Sequence, residues 1–262
     1  MRMIESLFSM QGKVCVVTGG SRGLGQHMAQ GFLEAGAARV YITARKADAC
    51  EAAAKELSQY GECLPLPSDV GTAQGISQLV EALNAREDHL DVLVNNAGTA
   101  WGAPFGEFPE KGWDKVMDLN AKSPFFLTQA LTPLLKKNAS AANTSTVLNI
   151  GSIAGIVGRA MDTFSYAASK AALHQLTRIL ATELADSHIR VNAIAPGRFH
   201  SKMTDYVSND PPAYERELQT IPLHRWGRAP DIAGVALMLT SQAGAFITGQ
   251  IIAVDGGTSL IH

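Results

Sequence analysis

A chain of 262 residues with 46% hydrophobic and 18% charged side chains can bury a sizeable core and falls outside the composition of disordered tails. Its formal net charge of −2 offers no broad basic field for nucleic acid or an anionic membrane, so any anion must be held locally. Cys15, Cys50 and Cys63 are an odd number without C-x-x-C spacing, which argues against a disulfide framework or a zinc site and reads as buried reduced thiols.

In chain order, the opening M-R-M-I-E-S-L-F-S-M lacks a continuous apolar core, and no later stretch approaches the ~20 apolar residues of a membrane span; the expected location is the cytoplasm. V-C-V-V at 14–17 begins a series of short β-branched runs that read as strands buried on both faces. The others lie at 40–43, 92–94, 146–150 and 191–194, with a last one at 250–254 before Asp255-Gly256-Gly257. Between them, alanine- and leucine-rich segments at 26–36, 47–59, 73–85, 113–137 and 166–185 read as helices. The least regular stretch, 197–225, contains N-D-P-P at 209–212 and follows a strand end, where a mobile substrate lid is useful.

Alternation of strand and helix predicts an α/β fold. Right-handed crossovers carry the chain back over a parallel sheet and cover both its faces, giving a three-layer, doubly wound sheet of Rossmann type. No long linker, repeat or low-complexity block interrupts residues 1–262, so a single domain is expected.

T-G-G-S-R-G-L-G at 18–25 sits between the first strand and the first helix. Glycines there allow a tight turn and let the backbone approach a pyrophosphate, which the free N–H groups and positive end of the helix favour. Thr18, Gly19, Ser21, Arg22, Gly23, Leu24 and Gly25 are therefore dinucleotide-binding candidates. An NAD site usually carries an acid about 20 residues further on; here the second strand runs into Ala44 and Arg45. Arg22 and Arg45 suit a 2′-phosphate through charge-assisted hydrogen bonds, which favours NADP(H).

With that loop, S-D-V at 68–70, N-N-A-G at 95–98, Asn120, G-S-I at 151–153, Y-A-A-S-K at 166–170 and A-P-G at 195–197, the chain resembles the short-chain dehydrogenase/reductase family over nearly its whole length. V-N-N-A-G-T-A-W-G, S-K-A-A-L-H-Q-L and I-A-P-G-R-F most resemble NADPH-dependent β-ketoacyl reductases of the type associated with rhamnolipid biosynthesis. The resemblance implies that Asp69 and Val70 contact the adenine and that Asn95, Ala97 and Gly98 form a wall of the cofactor cleft. It also implies that Pro196, Gly197, Phe199 and Ser201 lie toward the nicotinamide; Phe199 replaces a small aliphatic residue usual there. A homotetramer is implied as well, built on 113–137, 166–185 and the last strand.

Tyr166 and Lys170 are four residues apart, about one helical turn, so both project from one face. A phenol with a pKa near ~10 is a reluctant acid at neutral pH, and a neighbouring ammonium favours its anion. Lys170 is thus expected to draw the Tyr166 pKa down, Tyr166 to protonate a ketone oxygen as hydride arrives, and Ser152 to hydrogen-bond that oxygen. The resemblance adds that Lys170 also holds the nicotinamide ribose and that Asn120 links Lys170 to a water chain. His174, one turn beyond Lys170, is expected to pack within the helix layer, and His188, His200 and His224 lack metal-ligand spacing.

The expected reaction is reduction of a 3-oxoacyl thioester, with Trp101, Phe105, Met161 and the stretch from Phe199 to Trp226 shaping the substrate site. An acyl carrier protein is a candidate partner, although Asp186 and Ser187 stand where carrier-protein reductases often have a basic residue; Lys136 and Lys137 are the nearby compensation considered. A coenzyme A thioester, a sugar ketone such as 5-ketogluconate, and a non-catalytic NADPH-binding regulator are the alternatives.

Overall fold

The computed structural model describes residues 3–158, 162–202 and 204–261. After a short helix, α1 (Met3–Leu7), the strands are β1 (Val14–Thr18), β2 (Arg39–Thr43), β3 (Cys63–Pro65), β4 (Val92–Asn95), β5 (Ser145–Ile150), β6 (Ile189–Pro196) and β7 (Ile251–Val254). They form one seven-stranded sheet in the order β3-β2-β1-β4-β5-β6-β7, every pair parallel. Chain order reverses beside β1, which pairs with both β2 and β4, and that switch opens a crevice at the strand C-termini.

Successive strand residues point to opposite faces, and this divides the core in two. Cys15 and Val17 of β1 join Met28 and Phe32 of α2 (Gly23–Glu34), Cys50 and Leu57 of α3 (Ala47–Leu57), and Ile232 and Leu239 of α10 (Ala229–Thr240). Val14 and Val16 face the other way, onto Leu79 and Leu83 of α4 (Ala73–Asn84), Leu127 and Leu131 of α6 (Ser123–Lys137), and Ala181 of α7 (Phe164–Glu183). Each fully buried Val or Leu contributes roughly 1.5–3 kcal/mol, so this two-sided burial is the main force holding the strand ends in place. All three cysteines are free and buried.

Three features differ from the expectation. The single helix read at 113–137 is α5 (Glu110–Met117) and α6 joined through a π-helical turn, Asp118–Lys122. β3 and α10 have no counterpart among the expected elements. The stretch expected to be an irregular lid contains α8 (Asp205–Ser208) and α9 (Pro211–Gln219), packed on a small core of Val207, Ile221 and Trp226.

Candidate active site

A cleft of about 680 Å³ runs across the C-terminal strand ends. From β2 to β6 it covers four strand spacings, roughly 19 Å. At the glycine-rich end, Gly19 (φ +65°) and Gly23 (φ +55°) adopt left-handed backbone that other residues resist. Arg22, the extended N-cap of α2, makes no side-chain cap bond, so its side chain leaves the first-turn N–H groups beside the cleft-lining Gly23 and Leu24 open to an anion.

Two of the residues read as cofactor contacts instead hold this loop. Thr18 Oγ1 donates to the Val94 carbonyl at 3.2 Å and accepts the N–H groups of Asn96 at 2.9 Å and Ala97 at 3.0 Å, tying β1 to the loop after β4. A β-carbon on Gly25 would stand 2.5 Å from both Asn96 Nδ2 and the Gly19 carbonyl oxygen, so glycine lets the helix seat on the loop. Gly19, Ser21, Arg22, Gly23, Leu24, Arg45, Asp69, Val70, Ala97 and Gly98 do line the cleft. Asn95 does not. As the last residue of β4 its side chain turns to the helix side, where Nδ2 donates to Asn149 Oδ1 at 2.9 Å and Thr128 Oγ1 at 3.2 Å. Its neighbour Asn96 faces the loop and donates to the carbonyls of Thr18 at 2.8 Å and Gly19 at 3.1 Å.

The donor chemistry fits a phosphorylated dinucleotide. Exposed Arg22 and Arg45 offer two guanidiniums at the β1–β2 end of the cleft, and Ala44 stands where a ribose-binding acid would be.

At the other end, Ser152 follows β5 and its Oγ accepts the Ala154 N–H at 3.1 Å. Tyr166 lies across from it on α7, its phenol close enough to feel the Ser152 hydroxyl. Burial pushes the phenol above its ordinary pKa, opposed by the Ser152 hydrogen bond and the charge of Arg198. The expected lowering by Lys170 is therefore corrected. Lys170 Nζ donates to the Ile150 carbonyl at 2.7 Å and stands 5.7 Å from the Tyr166 ring centre. The residue is only 4% exposed, and burial drives its ammonium down to about 8.

Asn120 sits in the π-helical turn and does not line the cleft. Its Oδ1 accepts the Thr99 N–H at 2.9 Å, and its Nδ2 donates to the Thr99 carbonyl at 2.9 Å and to Ser169 Oγ at 3.0 Å. The amide thus ties the loop after β4 to α7 beside Lys170. Pi turns recur where a helix must aim one side chain out of register, and this one aims Asn120.

His174 packs against the loop that carries Ser152. A β-carbon on Gly151 would fall 2.0 Å from its Nε2, and one on Gly155 3.0 Å from its Cε1. Burial drives the imidazole down to about 4 against an opposing hydrogen bond with the Gly155 backbone, so the ring is neutral at physiological pH. Nε2 has no partner among the described residues.

Pro196, Gly197, Phe199 and Ser201 line the cleft after β6. The Phe199 ring is buried at 5% exposure and lies over Gly227, where a β-carbon would clash at 2.3 Å. Most of the aromatic groups assigned to substrate sit elsewhere: Trp101 packs on Gly112 under Lys115, Phe105 is exposed with its edge on Phe164, and Trp226 is buried beneath the lid. Met161 lies outside the described residues. The apolar wall beside Ser152 is Ile153, Ala154 and Val157. Sequence reasoning passed over these three, although the run G-S-I-A-G-I-V displays them directly after the serine. It also passed over Arg198 and Glu217, which line the cleft together; nineteen residues separate them, and no local pattern joins them.

Residues 19–259 match the family model described as Enoyl-(Acyl carrier protein) reductase. The chain is 51% identical over 253 residues to the rhamnolipids biosynthesis 3-oxoacyl-[acyl-carrier-protein] reductase of Pseudomonas aeruginosa, covering 97% of this chain and 98% of that one. It is 39% identical over 255 residues to the 2-dehydro-3-deoxy-D-gluconate 5-dehydrogenase of Escherichia coli, covering 97% and 98%. Among solved structures, the Pseudomonas aeruginosa RhlG/NADP active-site complex superposes with a TM-score of 0.95 at 50% identity, over 97% of this chain and 99% of that one.

Proposed function

We propose, from the premise that the chain belongs to the short-chain dehydrogenase/reductase family, that it reduces the ketone of a 3-oxoacyl thioester to a secondary alcohol with NADPH. The observation that carries this reading is the Ser152–Tyr166 pair facing one end of a cleft whose other end holds two guanidiniums, with Ala44 and no acid at the end of β2. When bound, NADPH supplies the hydride. The chain's own groups place the carbonyl and move a proton. Ser152 Oγ, fixed by the Ala154 N–H, gives its one proton as a hydrogen bond to the ketone oxygen. Tyr166 then donates its own proton as charge develops there; a pKa raised by burial keeps that proton on the phenol at neutral pH, the form reduction requires. Lys170, held by the Ile150 carbonyl and lying beside Gly98, is placed to hold a ribose hydroxyl.

The relative at 51% identity supports the acyl substrate, and Ile153, Ala154 and Val157 offer the apolar wall an acyl chain needs. The thioester is carried by an acyl carrier protein, with Lys136 and Lys137 in the last turn of α6 supplying the positive charge it would meet, or by coenzyme A. A second reading, reduction of a sugar-acid ketone, is favoured by the 39% identical relative and by a guanidinium, Arg198, inside the cleft. NADPH oxidation is the test, using acetoacetyl thioesters of carrier protein and coenzyme A beside 5-ketogluconate. The thioesters are expected to give the higher kcat/KM. A higher value on the sugar acid would replace the first reading with the second, and cofactor binding without turnover on any ketone would make the protein a regulator.

The described residues contain no helix long and apolar enough to cross a membrane; we place the protein in the cytoplasm as a homotetramer. Exposed Phe126 on α6 and Ile179 on α7 are apolar groups that a helix-to-helix contact would cover. Light scattering is expected to give the mass of four chains, and a monomer mass at micromolar concentration would remove this assembly.

A further inference from the structure

We propose that Glu217 determines substrate specificity: paired with Arg198 inside the cleft, it keeps the substrate end electrically balanced and turns away ketones that carry a carboxylate beside the carbonyl. The inference rests on the reading of the protein as a β-ketoacyl reductase and names how it would reject free β-keto acids while taking their thioesters.

Arg198 follows Gly197 at the end of β6, and Glu217 projects from the lid helix α9. Arg198 Nε donates to Glu217 Oε1 at 2.6 Å, with the two side chains 25% and 19% exposed. Both line the same cleft as Ser152 and Tyr166. The guanidinium is close enough for its charge to be felt at the Tyr166 phenol. A cation there, by itself, would recruit an anionic ketone to the reacting groups. With the Glu217 carboxylate on it, an approaching carboxylate meets a like charge and an already engaged donor, whereas an uncharged acyl group meets neither obstacle.

Four of the other cations along the cleft are held elsewhere or lie at its far end. Lys170 is committed to the Ile150 carbonyl and Lys115 to the Trp101 ring, while Arg22 and Arg45 belong to the β1–β2 end. Lys202 also lines the cleft and is common to every variant compared below. Specificity is a difference of affinities, and a repulsive group aimed at the wrong partner is a direct way to create one.

The test compares methyl acetoacetate with acetoacetate, which share the β-ketone and differ in charge. In Glu217→Gln, the ratio of kcat/KM for acetoacetate to that for methyl acetoacetate is expected to rise about tenfold or more over the unmutated protein. In Arg198→Met/Glu217→Gln the gain is expected to vanish, because the donor is gone. A general disturbance of the lid lowers both substrates and leaves the ratio in place. A ratio in Glu217→Gln within threefold of the unmutated value, or a gain that survives loss of Arg198, overturns the proposal. Calorimetric binding of acetoacetate to the NADP-loaded proteins decides the same point without turnover: tighter binding by Glu217→Gln supports it and equal affinity overturns it. Failure of the unmutated protein on acetoacetyl thioesters would instead count against the reductase reading, so the two failures are separable.

Discussion

Tyr166→Phe is expected to reduce kcat for ketone reduction by about 10²–10⁴-fold, the usual contribution of a positioned general acid, with NADPH affinity changed by less than about threefold. The substitution removes one oxygen from a ring held on α7 and leaves the helix, the Ser152 loop and the glycine-rich end unaltered. Ser152 cannot take over. Its single proton serves the developing oxyanion as a hydrogen bond, and its Oγ is already an acceptor for the Ala154 N–H. Stopped-flow measurement of NADPH oxidation, with fluorescence titration of the cofactor, separates chemistry from binding. Burial holds the phenol up, so the rate of the unmutated protein is expected to persist through neutral pH and to fall on the alkaline side as the phenol loses its proton. The phenylalanine variant should lack that alkaline limb. Turnover at the original rate would take Tyr166 out of the mechanism.

The second large effect concerns the cofactor. Arg45→Asp is expected to lower the preference for NADPH over NADH by about 10²-fold. A hydrogen bond between charged groups is worth about 1.5–3 kcal/mol, and the new carboxylate both repels a 2′-phosphate and accepts from a 2′-hydroxyl. Arg45 and Arg22 are exposed on the cleft rim beside Ala44, so the change should leave the fold intact. The readout is the ratio of kcat/KM for the two cofactors at fixed ionic strength, since exposed charges are screened by salt. A ratio unmoved by the substitution would mean that Arg45 only solvates the end of β2 and that Arg22 or another group selects the cofactor.

Much of this architecture was legible because its determinants are local. β-Branched runs marked β1, β2, β4, β5, β6 and β7, and the glycines at 19–25 could be placed between β1 and α2 by order alone. What escaped was short, interrupted or non-local. β3 has three residues and ends in Pro65, so it carries no periodic signal. α10 opens at Ala229 and includes Gly234, a poor helix-interior marker, and its apolar residues run nearly all round instead of forming a stripe. The π-helical turn at Asn120 has no sequence period of its own, yet it decides where that amide points.

The sequence by itself determined that Tyr166 and Lys170 share a helix face, that a turn of glycines meets a helix start, and that Ala44 and Arg45, not an acid, stand at the end of β2. Those facts follow from residue identity and backbone geometry over a few positions. Only the tertiary structure decided that Lys170 is anchored by the Ile150 carbonyl, that Asn95 turns away while Asn96 binds the loop, and that Arg198 meets Glu217. Burial and charge pairing depend on which distant segments fold against a side chain, and chain spacing does not encode that.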